Sequence, residues 1–212
     1  MKVIKHVFWD WNGTLFNDVE LCLNLGNKLL KQRGLPLMSL DTYRDYFELP
    51  VKKYYENAGF DFTKESFELV GRIWMNDYET QKYSCNLFEG ISDVLTFFKE
   101  NGIKQSILSA YSLMDLKDII KYYKIDHFFE NVKGLDHIYA DSKLHLGKEL
   151  LEETKLSTDE ILFVGDTHHD YEVAVELGVK SILFSQGHQS KEKLLKFNVP
   201  VIDNIKDLVN YL

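Results

Sequence analysis

A chain of 212 residues, 45% hydrophobic and 14% aromatic, supplies a packed core for one ordinary domain plus a smaller insertion and excludes disorder. Its formal net charge of −8, with acids and bases mixed and no basic stripe, excludes a nucleic-acid binder; an anionic substrate would need local positive charge from a lysine or a divalent ion. No apolar run approaches the ~20 residues of a membrane span, the N-terminus lacks a signal-peptide layout, and Cys22 and Cys85 offer no metal-ligand spacing or disulfide framework, so a cytoplasmic protein with buried thiols is expected.

The first predicted element is a strand over Val3–Asp10, running into "FWDWNGTLF", where the acid Asp10 is followed two places on by an amide, Asn12. From Asn17 to Ser84 helical patterns replace strands. Leu21, Leu25 and Leu29 lie four apart and lead to Gly34; Phe67, Val70, Trp74 and Tyr78 mark a later stripe. So much helix between a first and a second strand exceeds a simple crossover. Residues 17–84 are therefore predicted to form an inserted helical cap domain, and residues 1–16 and 85–212 the α/β core.

Beyond the insertion, Ile91, Val94, Leu95 and Phe98 share a helix face that stops at Gly102, and a second strand follows over Ile103–Ser109. A third strand is expected over Phe128–Gly134, and Lys143 opens a helix in "YADSKLHLGKELL". The fourth strand, Glu160–Asp166, runs into "GDTHHD" and a helix with Val173, Ala174 and Leu177 on one face before Gly178. Two further strands are expected over Lys180–Phe184 and Val199–Ile202. Nearly continuous apolar runs such as "ILFVG" suit strands buried on both faces. Strand alternating with helix predicts an α/β fold with a doubly wound, parallel, Rossmann-like sheet and right-handed crossovers.

In such a sheet, ligands bind beyond the carboxyl ends of the strands. Asp10 and Asn12, Ser109, Lys143, and Asp166 with Asp170 all fall at or just after such ends. Singly, each is an ordinary cap, turn or surface residue. In this order and at one sheet edge, coincidence explains them poorly. A dinucleotide fold is a worse reading, because "DWNGTLFND" is not G-x-G-x-x-G.

Over essentially its whole length the sequence resembles the haloacid dehalogenase-like hydrolases of the helical-cap subclass, which includes phosphoglycolate phosphatase-like enzymes. "DWNGTL" looks like the nucleophile motif, Ser109 the second motif, Lys143 the third and "GDTHHD" the fourth. The resemblance implies a Mg²⁺-dependent phosphatase of a small phosphorylated metabolite, working through an aspartyl phosphate on Asp10. It implies Asp10, Asp166, Asp170 and the backbone carbonyl of Asn12 around the metal, and Ser109, the Ala110 amide and Lys143 around the phosphoryl oxygens. The residue types suit the chemistry. A carboxylate serves as nucleophile, hard oxygens suit Mg²⁺, and a lysine keeps crowded carboxylates ionised. Oligomeric state is left open.

The departure is Asn12. Phosphatases of this family carry an acid there, which protonates the leaving oxygen and then activates water. A carboxamide keeps the shape but shuttles no proton near neutral pH, a loss of ~10²–10⁴ in rate, or roughly 3–5 kcal/mol. Three expectations follow: a phosphatase that is slow or borrows His168 or His169; a hydrolase of acyl phosphates or phosphoanhydrides, which need little protonation; or a regulator that binds a phosphometabolite. Asn12-Gly13 is also a deamidation-prone pair. In the cap, residues 46–59 ("YFELPVKKYYENAG") resemble the turn that faces the site in relatives, with Lys52 or Lys53 the candidates for a second anionic group.

Overall fold

The computed structural model describes residues 3–136 and 143–212. Its centre is a six-stranded parallel sheet built from β1 (His6–Trp9), β4 (Lys104–Ser112), β5 (Asn131–Leu135), β6 (Ile161–Gly165), β7 (Lys180–Phe184) and β8 (Val201–Ile202). The spatial order is β5-β4-β1-β6-β7-β8. The chain winds outward from β1 in one direction and then, after β5, in the other. The strand order therefore reverses between β1 and β6, which is where an open α/β sheet leaves a crevice.

Alternation along the strands separates two apolar layers. Val7, Trp9, Ile107, Leu162 and Val164 face one layer, with α5 (Ile91–Glu100) and α6 (Leu113–Tyr122). Phe8, Leu108, Ile161 and Phe163 face the other, with α7 (Leu144–Thr154) and α8 (His168–Leu177). Ile91, Val94, Leu95 and Phe98 are all buried in α5, and Gly178 ends α8 at φ 69°, the left-handed conformation that only glycine adopts without strain. The fold class expected from the sequence is the one observed.

Between β1 and α5 the chain forms α1 (Val19–Gln32), α2 (Leu40–Tyr46), α3 (Val51–Asn57) and α4 (Phe67–Gln81). Leu21, Leu25 and Leu29 face inward on α1, as do Val70 and Tyr78 on α4, and these side chains belong to the same apolar cluster as Trp9 and Ile107 of the sheet. The ends of this helical stretch are clipped together by a short antiparallel pair, β2 (Phe16–Asn17) with β3 (Asn86–Leu87). Periodicity gave no sign of that pair, because two residues are too few to show a period.

The second core strand runs to Ser112 instead of ending at Ser109. Its register with β5 slips between Leu108 and Ser112, and its pairing with β1 ends at Ile107. A bulge of this kind bends the strand and re-aims its side chains. Gly134 on β5 makes room for it, since a Cβ there would lie 2.7 Å from the Tyr111 carbonyl oxygen. Among the described residues, no helix is long and apolar enough to cross a membrane.

Candidate active site

Asp10 follows β1, and its backbone N–H extends the ladder by donating to the Val164 carbonyl at 2.9 Å. That bond brings it beside Asp166, which follows β6. Asp170 stands in the first turn of α8, where its Oδ2 accepts from the Thr167 N–H at 2.9 Å and the Thr167 hydroxyl at 2.7 Å, a reciprocal cap. The carboxylates of Asp10, Asp166 and Asp170 approach one another within 4.8 Å, and all three are buried. Lys143 caps α7 and is itself buried. Its ammonium donates to Asp10 Oδ1 and lies 2.7 Å from Asp170 Oδ1. Acids from opposite ends of the chain thus share one lysine.

Asp166 is held from two other segments of the chain. Thr14 donates its hydroxyl to Oδ1 at 3.0 Å, and the backbone N–H of His188 donates to Oδ2 at 2.6 Å. Two glycines from different loops wall the carboxylate in: a Cβ on Gly13 or Gly187 would lie 2.3 or 2.2 Å from its Oδ2. Ser109 and Ala110, on the bulge, line the same cavity as Asp10 and Lys143.

Burial pushes the Asp10 carboxyl up to about 8, with Lys143 opposing and Asp170 and Asp166 reinforcing the shift. Burial also raises Asp166, to about 6, against the pull of His188. For Asp170, burial is outweighed by Lys143, and its carboxyl lies below the ordinary range. Lys143 resists its own desolvation through Asp10 and Asp170 and holds its proton more firmly than a free lysine. Three buried hard-oxygen donors within 4.8 Å of one another, two of them with carboxyls pushed up by burial, form a donor set that a divalent ion such as Mg²⁺ would fit and neutralise.

Asn12 does not face this group with its amide. Nδ2 donates to Asp18 Oδ2 and to the Tyr78 hydroxyl, each at 2.7 Å. Asp18 is a buried anion at the N-cap of α1, also reached by the Gly13 N–H at 3.2 Å and by His188 Nε2 at 3.2 Å. His188 in turn bonds the Tyr43 hydroxyl through Nδ1 at 2.8 Å. Desolvation is overcome on both partners, so Asp18 is lowered by His188 and His188 is raised by Asp18. Neither residue was singled out from the sequence. An Asp at the start of a helix reads as a plain cap, and a His in "SQGHQS" reads as a loop residue. The Gly13 N–H also donates to the Phe16 carbonyl at 2.9 Å. That occupancy opposes the attack on the Asn12 amide through which Asn-Gly pairs deamidate.

His168 and His169 lie in the first turn of α8 and are half-buried, not loop-exposed. His168 is tied to Gln189 at 2.8 Å through Nδ1. His169 lines the cavity, and its Nε2 is buried with no partner among the described residues. Burial and then Lys143 lower its affinity for a proton. Lys52 and Lys53 are exposed and take no part in the cavity lining; Lys52 Nζ instead sits 5.7 Å over the Phe62 ring. The turn at residues 46–59 does face the site, but through Phe47, Leu49, Val51, Tyr54 and Tyr55.

Residues 7–184 match the family described as haloacid dehalogenase-like hydrolase. Among curated proteins the chain is similar to the tyrosine-protein kinase PtkA of Mycobacterium tuberculosis, 21% identical over 198 residues that cover 92% of this chain and 67% of that one. It is likewise similar to a phosphoglycolate phosphatase of Rhodobacter capsulatus, 21% identical over 189 residues, 86% of this chain and 85% of the relative. Among solved structures, the haloacid dehalogenase-like family protein SP0104 of Streptococcus pneumoniae superposes with a TM-score of 0.84 at 21% identity, covering 100% of this chain and 99% of that one.

Proposed function

The chain belongs to the haloacid dehalogenase-like hydrolases, and on that premise we propose that it is a Mg²⁺-dependent phosphatase of a small phosphorylated metabolite. One observation carries the proposal: Asp10, Asp166, Asp170 and Lys143 converge, buried, at the floor of a cavity that Ser109 and Ala110 also line. In this reading Asp10 is the nucleophile and takes the phosphoryl group as an aspartyl phosphate, which water then hydrolyses. Asp10, Asp166, Asp170 and the Asn12 carbonyl would hold the ion, which supplies charge neutralisation at the phosphoryl oxygens. Ser109 and the Ala110 amide orient those oxygens. Lys143 pulls Asp10 toward its ionised form against burial and aligns it, and Asp170 positions Lys143. Residues 17–84 act as the cap over the core formed by residues 1–16 and 85–212.

The names of the relatives span a kinase and a phosphatase, so the reaction is argued from the site. The cavity of about 180 Å³ is on the scale of a single ring. It has room for a small phosphomonoester. With the Asn12 amide committed to Asp18, the leaving oxygen receives no proton from position 12. Turnover of alkyl esters is therefore slow, while esters and anhydrides with good leaving groups react more readily.

The test is Mg²⁺-dependent phosphate release from p-nitrophenyl phosphate, acetyl phosphate and a panel of metabolite phosphates, for the parent and Asp10→Asn, after mass spectrometry of the peptide spanning Asn12. Activity is expected in the parent and absent from Asp10→Asn. Unchanged activity in that variant would rule out the nucleophile; saturable binding with no turnover of any substrate would favour the regulator.

A further inference from the structure

The polar floor of the site opens into a space that is almost wholly apolar. The cavity wall includes Phe47, Leu49 and Val51 from the turn between α2 and α3 and its sequel, and Phe67, Trp74 and Met75 from α4, with the rings of several tyrosines between them. The basic side chains lining the cavity, among the described residues, are Lys143, His169 and His188. Lys143 is bound to Asp10 and Asp170, and His188 to Asp18 and Tyr43. His169 stands in the first turn of α8, next to Asp170 at the polar floor, and not on this wall. Nothing in this wall offers a counter-charge to a second anion. A carboxylate placed there would lose hydration with no cation to offset it, whereas an uncharged ring would bury apolar area against aromatic faces.

The shape agrees with the chemistry. The cavity of about 180 Å³, partly open to solvent, is on the scale of one compact ring. Gly71 lies on the same wall of α4, and a Cβ there would meet no heavy atom within 4 Å, so the helix leaves open space where almost any other residue would fill it. Independently, Asn12 supplies no proton to the leaving oxygen. A phenoxide departs as the conjugate base of an acid of pKa about 10, far below an alcohol, and needs that proton least.

We propose that the substrates are aryl monophosphates, the phosphate esters of a phenol with one compact uncharged ring, the ring seated between the α2–α3 turn and α4. In the reaction an Asp10 oxygen bonds to phosphorus as the phosphorus–phenoxide bond breaks. The phenoxide leaves with the electron pair and takes its proton from solvent. Water then cleaves the aspartyl phosphate to inorganic phosphate and regenerates the carboxylate. This proposal rests on the phosphatase reading, but ring preference can be measured without turnover.

Calorimetric titration with Mg²⁺ present would compare benzylphosphonate with phosphonoacetate, non-hydrolysable analogues that differ in carrying a ring or a carboxylate. Benzylphosphonate is expected to bind at least ~30-fold more tightly, the ratio that burial of one aromatic ring supplies. Gly71→Leu, which suits a helix and fills the cavity, is expected to reduce that preference to a few-fold at most, with the circular dichroism of the parent retained. In parallel, kcat/KM for phenyl phosphate should exceed that for 4-carboxyphenyl phosphate at least tenfold. Equal binding of the two phosphonates, or a preference untouched by Gly71→Leu, overturns the proposal. Ring-selective binding without hydrolysis of phenyl or acetyl phosphate would leave the aryl pocket standing and refute the phosphatase reading. Hydrolysis of acetyl phosphate without ring preference would do the reverse.

Discussion

Replacing Asn12 by Asp restores the residue that family phosphatases carry, yet the surroundings are built for the amide. Asn12 Nδ2 gives hydrogen bonds to Asp18 Oδ2 and to the Tyr78 hydroxyl at 2.7 Å each, and Asp18 is 1% exposed. A carboxylate at position 12 has nothing to donate and would face another carboxylate at hydrogen-bond range. Losing a hydrogen bond to a buried charged group costs about 1.5–3 kcal/mol, and like-charge proximity then obliges one of the two acids to keep a proton. The expected loss of stability at pH 8 is about 2–4 kcal/mol, which for a chain of this length lowers Tm by roughly 5–15 °C. The sign with pH follows from linkage: the shared proton raises one folded-state pKa, so the folded variant binds more protons than the unfolded chain. The deficit is then smallest near pH 5 and grows as pH rises through the raised value. Differential scanning calorimetry of Asn12→Asp, Asp18→Asn and the double variant at both pH values measures it. In the double variant the amide introduced at position 18 can donate back to the carboxylate introduced at position 12, so a favourable coupling of at least about 1 kcal/mol is expected. The proton held in Asn12→Asp is the one an alkoxide needs, and alkyl phosphate turnover should rise by ~10²-fold or more with little change on acetyl phosphate. An Asn12→Asp protein whose Tm stays within about 2 °C of the parent at pH 8 would refute the account of this network.

Three further outcomes are expected. Mg²⁺ at a hundred times its Kd should stabilise the protein by about 2.7 kcal/mol in thermal denaturation, and Asp166→Asn should abolish the effect. Because binding displaces protons held by Asp10 (raised to about 8) and Asp166 (raised to about 6), apparent affinity should climb between pH 5 and 8; a flat profile would contradict this. Gly187→Ala puts a Cβ 2.2 Å from Asp166 Oδ2, against a carboxylate pinned by Thr14 and the His188 N–H, so Mg²⁺ affinity by calorimetry should fall at least ~10-fold; an unchanged Kd would show that the cradle yields. His188, raised by Asp18, contributes stability that is present below its unfolded pKa of 6.5 and lost as pH rises through the folded value, and Asp18, lowered by His188, contributes stability lost only as pH falls below the usual carboxylate range. The unfolding free-energy difference between parent and His188→Gln should therefore peak near pH 6 and shrink on the alkaline side, and a difference independent of pH would mean that His188 is neutral in the folded state.

What could be read from the sequence, and what could not, divides along a physical line. Asp10, Asp166 and Asp170 were legible because a buried parallel strand has a strongly apolar signature, and an acid that breaks it at the carboxyl end needs a reason. Lys143 was legible as a lone cation ahead of an amphipathic helix. The fold followed from the same runs, and helices fall on both faces of the sheet where the alternation of Val7, Phe8 and Trp9 demands them. The strand through Ser109 was misjudged at its end, since nothing in "ILSAYS" marks a bulge that depends on Gly134 of the neighbouring strand. Asp18 and His188 were missed because each has a sufficient local explanation, and only the meeting of α1 with the loop after β7 gives them a partner.

Lys52 and Lys53 were candidates because charge in a cap draws attention, yet a lysine on a helix gains most by staying in water. The side chains that do reach the site, Phe47, Val51 and Trp74 among them, have the spacing of ordinary core residues, and no pattern separates an aromatic that packs against protein from one that awaits a ligand. The transfer chemistry proposed for this molecule thus rests on polar residues whose placement is costly and therefore conspicuous. The selectivity proposed here rests on apolar residues whose placement is cheap and therefore silent. The family resemblance rests on Asp10, Ser109, Lys143 and Asp166, and at about 21% identity the substrate is free to differ, because the α2–α3 turn and α4 can be rewritten without touching a single ionisable group on the floor of the site.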